Sequence, residues 1–143
     1  MNTYPDGKLE LIAEVNRTEV AAGDTLHVTL TAYNRSIKPL IIETSCLEFA
    51  GLLITHEGEN TEFGGVEPRC VRIINTYEIE PRDSLSFSWD FEAVILSIDP
   101  ETMDVLVNEP APGNYKIHII NNIITVNDQS RSIGDLNKMF TVK

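Results

Sequence analysis

The run TLHVTLTAYN, residues 25–34, decides the fold class. In an extended chain Leu26, Val28, Leu30 and Ala32 share one face, and His27, Thr29, Thr31 and Tyr33 share the other. Alternation of this kind marks a strand with one face in a core and one in solvent. A helix would scatter the same apolar residues around its axis. Two further runs repeat the pattern. SLSFSWDF, residues 84–91, aligns Leu85, Phe87, Trp89 and Phe91, and NYKIHII, residues 114–120, aligns Tyr115, Ile117 and Ile119. Each strong run follows a turn: AAGDTLHV, EPRDSLSF and APGNYKIH all set a turn-forming pair and then Asp or Asn before the first inward apolar residue.

Weaker strand patterns cover residues 8–16, 38–43, 51–56, 69–76, 123–127 and 137–142. Short strands at this spacing predict an all-β, immunoglobulin-like antiparallel β-sandwich of about seven to nine strands. With 143 residues the chain reads as one domain, 1–143, with 1–7 a loose lead-in. Helix is expected at one place, DPETMDVLVN, residues 99–108. There Asp99 can cap, Pro100 suits the first helical position, and Met103, Leu106 and Val107 recur at helical spacing. The pattern predicts one short helical turn.

Eleven Lys plus Arg against 22 Asp plus Glu give a net charge of −11. That charge opposes a phosphate backbone, so nucleic acid is not an expected partner. The N-terminal MNTYPDGKLELIAEV has neither a basic stretch nor an apolar core of the signal type, and no run approaches the ~18 apolar residues of a membrane span. No direct membrane insertion is expected. The extracellular space or cell envelope is the favoured location, as for a mature exported domain, with the cytoplasm as the alternative. Sequons at Asn16 (NRT) and Asn34 (NRS) add slightly to the exported reading.

The order GDTLHVTLTAYN…KPL, then IEPRDSLSFSWDF, then APGNYKIHI resembles the immunoglobulin-like sandwiches of prokaryotes, including the domain of the intracellular proteinase inhibitor BsuPI. Asn34, Pro39, Trp89, Pro112, Gly113 and Tyr115 carry the resemblance. It implies the sandwich fold and, as one function, proteinase inhibition by an extended acidic loop across residues 57–67. The chain departs from that outline at Arg82, where a turn glycine is expected, in the long stretch 93–111, and in its pair of cysteines.

Cys46 and Cys70 are the only cysteines. Zinc would need close Cys or His pairs, and a thioredoxin-type couple would need C-x-x-C; neither spacing occurs. A disulfide closing the loop between them and two small buried thiols both remain open. Between them lies HEGENTEFGG, whose His56, Glu57, Glu59, Asn60, Glu62, Phe63, Gly64 and Gly65 form the candidate binding loop. Its three glutamates lack the register of a calcium loop. No G-x-S-x-G elbow is present, and carboxylates are too abundant to single out an acid–base pair. The chain is therefore expected to have no catalytic residues, no metal and no cofactor.

Trp89 is expected in the core, and Tyr115 is expected to act as a corner tyrosine whose hydroxyl bonds back to the backbone. The aliphatic runs IKPLII (37–42) and AVILSI (93–98) are expected to be buried on both faces; exposed, they would be a partner surface. The functional expectation is a non-catalytic protein-binding or structural interaction module with a protein partner, self-association being a second outcome. Proteinase inhibition of the BsuPI kind is the alternative.

Overall fold

The structure is a computed structural model that describes residues 2–3, 9–46, 51–65, 70–120, 124–127, 129–131 and 136–143. In chain order the strands are β1 (Asn2–Thr3), β2 (Leu9–Val15), β3 (Glu19–Val20), β4 (Thr25–Asn34) and β5 (Leu40–Cys46). Next come β6 (Gly51–His56), β7 (Glu59–Asn60), β8 (Cys70–Ile79), β9 (Ser84–Glu92) and β10 (Ile95–Ile98). The last are β11 (Val105–Asn108), β12 (Gly113–Ile120), β13 (Ile124–Val126), β14 (Gln129–Arg131) and β15 (Leu136–Val142). Eight of these hold six or more residues, and they include the three strongly alternating runs.

The fold is an all-β sandwich. One sheet has the order β1-β2-β4-β9 and a second the order β3-β15-β12-β6-β7. This matches the immunoglobulin arrangement, with β2, β4 and β9 in the places of strands A, B and E, and β6, β12 and β15 in those of C, F and G. A smaller sheet, β14-β13-β5-β8, is built from the connections, and β10 and β11 form a separate hairpin. All described pairings are antiparallel except β3 with β15.

The alternation seen in the sequence sets the core. Leu26, Val28, Leu30 and Ala32 are fully buried, facing Leu52, Ile54, Ile117, Ile119 and Phe140 from the second sheet in one cluster. Leu85, Phe87 and Trp89 pack on its margin, partly covered, and Phe91 is buried. Asn34 closes β4 from inside: its Nδ2 donates to the carbonyls of Lys38 and Ile79, both at 2.8 Å, and its Oδ1 accepts from Ser36 N and Oγ. The side chain uses its whole hydrogen-bonding capacity while buried, which makes it a fastening between β4 and β8. It is not free to carry a glycan, contrary to the sequon reading.

Two expectations are corrected. Residues 99–108 form no helical turn. Asp99 caps as expected, its Oδ1 accepting from Glu101 N at 2.8 Å, but Met103 takes φ 62 and Asp99 N donates to Asp104 O at 2.9 Å. The chain reverses into a hairpin because β-branched Val105 and Val107 gain more by pairing with β10 than one isolated helical turn could. The aliphatic runs are also not buried on both faces. Leu40 and Ile42 are buried while Ile37 and Ile41 are exposed, and Ile98 is exposed where Ala93 is buried.

Candidate functional site

The sequence-predicted loop does not behave as one surface. Glu57 and Gly58, at φ 52 and 81, join His56 to Glu59 in a two-residue turn of the mirror-image type that matches strand twist. Glu59 and Asn60 are exposed on β7. Phe63, in contrast, is wholly buried, with ring centroids 5.1 Å from Tyr115, 5.2 Å from Phe140 and 6.0 Å from Phe91. Gly64 and Gly65, both at positive φ, then run close to Phe91 and Leu96, where a Cβ would come within 2.9 and 2.8 Å. The segment is an anchor whose polar residues are its outside.

Only His56, Glu57 and Gly58 of that loop reach a cleft of about 610 Å³ on the second sheet, lined also by Tyr115, Lys116 and His118. His56 Nδ1 donates to the Asn114 carbonyl at 2.8 Å, its ring stacks on Tyr115 at 4.3 Å, and Nε2 lies 4.0 Å from Glu57 Oε1. His118 Nε2 bonds Thr55 Oγ1 at 3.0 Å. Tyr115 Oη donates to the Ala111 carbonyl at 2.8 Å, the bond expected of a corner tyrosine at the start of strand F. Burial pushes its phenol up from the ordinary value.

Among the described residues no group of three or more His, Cys, Asp or Glu is placed to hold a metal ion. The one buried carboxylate among them, Glu10, is gripped by Arg35 through both Nε and an Nη, a fork that holds the guanidinium above its ordinary value. Its charge is matched within the fold. Cys46 and Cys70 stand opposite each other in the β5–β8 register. Facing positions of antiparallel strands lie at Cα separations a disulfide can span, although both side chains lie outside the described residues.

The stretch whose sequence pattern points to a helix carries a cluster of exposed apolar residues. In the β10–β11 register Leu96 faces Val107, and Ile98 faces Val105, so these four side chains share one face of the hairpin. Ile98, Val105 and Val107 are 61%, 64% and 64% exposed, and Met103 at the turn is 70% exposed. Among the described residues the hairpin's backbone bonds to the body come from its β10 side: Leu96 N donates to Glu62 O at 3.1 Å, Gly64 N to the carbonyl of Val94 just before β10 at 2.6 Å, and Ile95 bridges Phe63. The candidate loop thus carries the hairpin. The signal in the sequence is the pair of β-branched residues in VLVN, set against a strong helix cap.

No family model matches the chain, and no curated protein does. Solved structures match at the level of fold. A β-glucosidase from Erythrobacter marinus aligns over 94% of this chain and 15% of its own, at 13% identity and TM-score 0.50. Native alpha-2-macroglobulin from Escherichia coli aligns over 99% of this chain and 17% of its own, at 16% identity and TM-score 0.50. The chain therefore spans a small part of the length of the structures it matches, and neither of these two is a BsuPI-type domain.

Proposed function

We propose that the chain is a non-catalytic protein-binding module and that the β10–β11 hairpin is its contact surface. The observation that carries this reading is the aliphatic face on which Ile98, Val105 and Val107 continue from a half-buried Leu96, extended by Met103 and left exposed at the edge of an otherwise well-buried sandwich. Two-stranded hairpins are marginal in water, and an uncovered apolar face marks a surface that another molecule covers. The location of the hairpin fits: it is inserted between strands E and F, where sandwich connections reach partners. A fold of this kind also recurs as 15% to 17% of much longer chains, in keeping with a module's role.

Proteinase inhibition asks for an extended loop across 57–67. Residues 57–65 are instead a tight turn followed by the buried Phe63, a shape that does not favour insertion into a protease cleft. The binding reading is tested by placing a photo-crosslinking residue at Val107 and, as control, at the exposed Ser88 of the sandwich face, in the native host. A discrete adduct with another protein from position 107 and not from 88 is expected. Identical adduct patterns from both positions, or none from 107, would overturn it.

A further inference from the structure

The open edge of β11 specifies how a partner docks. Asp99 N donates to Asp104 O, so residues 99 and 104 form a hydrogen-bonded pair, and 97 with 106 and 95 with 108 continue the bonded positions. Residues 96, 98, 105 and 107 then turn their backbone groups away from the hairpin's own ladder. On β10 this outward side is used, since Leu96 N reaches Glu62 O. On β11 the outward groups belong to Val105 and Val107, and among the described residues the strand has no neighbour but β10. The same two residues also point their side chains onto the exposed aliphatic face. Backbone donors, backbone acceptors and apolar side chains are thus presented together, the combination that accepts an added strand.

Charge narrows the occupant. The strand lies in the sequence DVLVNE, with Asp104 before it and Glu109 after it, and Asp99 and Glu101 in the turn add to the acidic rim; residues 95–109 contain no Lys or Arg. A second copy of β11 laid antiparallel would set Asp104 of one copy against the Asn108–Glu109 end of the other, between chains that each carry −11. Like charges at facing positions disfavour that pair. Resting on the binding reading above, we infer that β11 receives an extended segment of a different protein, with apolar residues alternating along it and Lys or Arg at its ends.

The test uses the whole chain and three blocked synthetic peptides. The first has lysine at both ends and alternating valine and threonine between, the second replaces lysine by glutamate, and the third is the lysine peptide with its central valine N-methylated. Binding is followed by titration calorimetry at low and high salt, and amide exchange is read at Val105 and Val107. The lysine peptide is expected to bind at least about tenfold more tightly than the glutamate peptide at low salt, with the gap closing at high salt. It should also slow exchange at both valines. N-methylation, or Val107→Pro, which removes an outward N–H and leaves the β10 ladder its bonds, should abolish binding.

Equal binding of the lysine and glutamate peptides would overturn the charge assignment, and undiminished binding of the N-methyl peptide would overturn strand addition. No binding of any peptide would overturn the proposal outright. A dimer in sedimentation that Val107→Pro dissolves would replace the foreign strand by a second copy. In each of these cases a hairpin crosslink to another protein from position 107 would leave the binding module standing, so the two readings fail separately.

Discussion

Two hairpins lie side by side on this sandwich and are built in opposite ways. After β6 and β7 the chain drives Phe63 into the core and threads Gly64 and Gly65 against β9 and β10. The β10–β11 hairpin rests on that segment and leaves its own aliphatic face in water. The stretch 56–65, from the end of β6 through β7, is polar in sequence and is anchored by the buried ring of Phe63; the β10–β11 region is amphipathic in sequence and buries little. Local composition thus misleads in both directions, because burial is decided by which element finds a partner surface and not by how apolar its own residues are.

The contrast is broken most directly by truncation. Phe63→Ala removes a fully buried ring with three aromatic neighbours and should cost about 3 to 5 kcal/mol of unfolding free energy, read from denaturant midpoints. Val107→Ser, at a position 64% exposed, should stay within about 0.5 kcal/mol of wild type. Similar losses at both positions would mean that the hairpin face is covered within the chain itself.

Glycine substitution probes the same difference at the backbone. Gly64→Ala combines φ +62 with a Cβ 2.9 Å from Phe91 and 3.1 Å from the Glu92 carbonyl, and should cost about 2 to 4 kcal/mol. Gly58→Ala has open space and only its φ of +81 to oppose it, so about 1 kcal/mol is expected. Thermal melts of the two variants should separate clearly.

Tyr115, which stacks with His56 and touches Phe63, ties the anchored side to pH. Its phenol titrates higher in the folded chain than in the unfolded one. Its contribution is therefore full below the ordinary tyrosine value of about 10 and is lost as pH rises through the raised folded value. Tyr115→Phe should cost about 1 kcal/mol at neutral pH, through the lost bond to Ala111, and should flatten the alkaline fall in stability. An unchanged alkaline limb in urea titrations would assign that fall to other groups.

How much is legible in the sequence follows from range. Residues 25–34, 84–91 and 114–120 carry their fold in neighbouring side chains, and the strands form there; Tyr115 takes its corner role for the same reason. Arg82, an odd residue for its turn, does adopt φ 64, the glycine-like conformation that the turn requires. Phe63 reads as part of a surface loop because nothing nearby reveals that Tyr115, Phe91 and Phe140 converge on it from three distant strands. The helix expected at 99–108 rests on a real cap at Asp99, yet capping only satisfies the first turn and cannot choose between a helix and a chain reversal. The strand register that sets Cys46 opposite Cys70 is equally out of reach, since it depends on how β5 and β8 align.

The smallest effects sharpen the comparison furthest. Glu57 and Met103 both sit at positive φ, 52 and 62, one in each hairpin turn. Glu57→Asn and Met103→Gly should each relieve about 0.5 to 1 kcal/mol of backbone strain, since Asn and Gly accept that conformation readily. The first turn leads directly to Phe63, so its relief should raise the global unfolding midpoint. The other closes a hairpin that opens without disturbing the core, so its relief should slow amide exchange at Leu106 and Asn108, whose backbones pair with β10, and leave the midpoint where it was. A midpoint that rises equally in both variants would mean that the two hairpins unfold together, and the exposed face would then belong to the cooperative core of the sandwich.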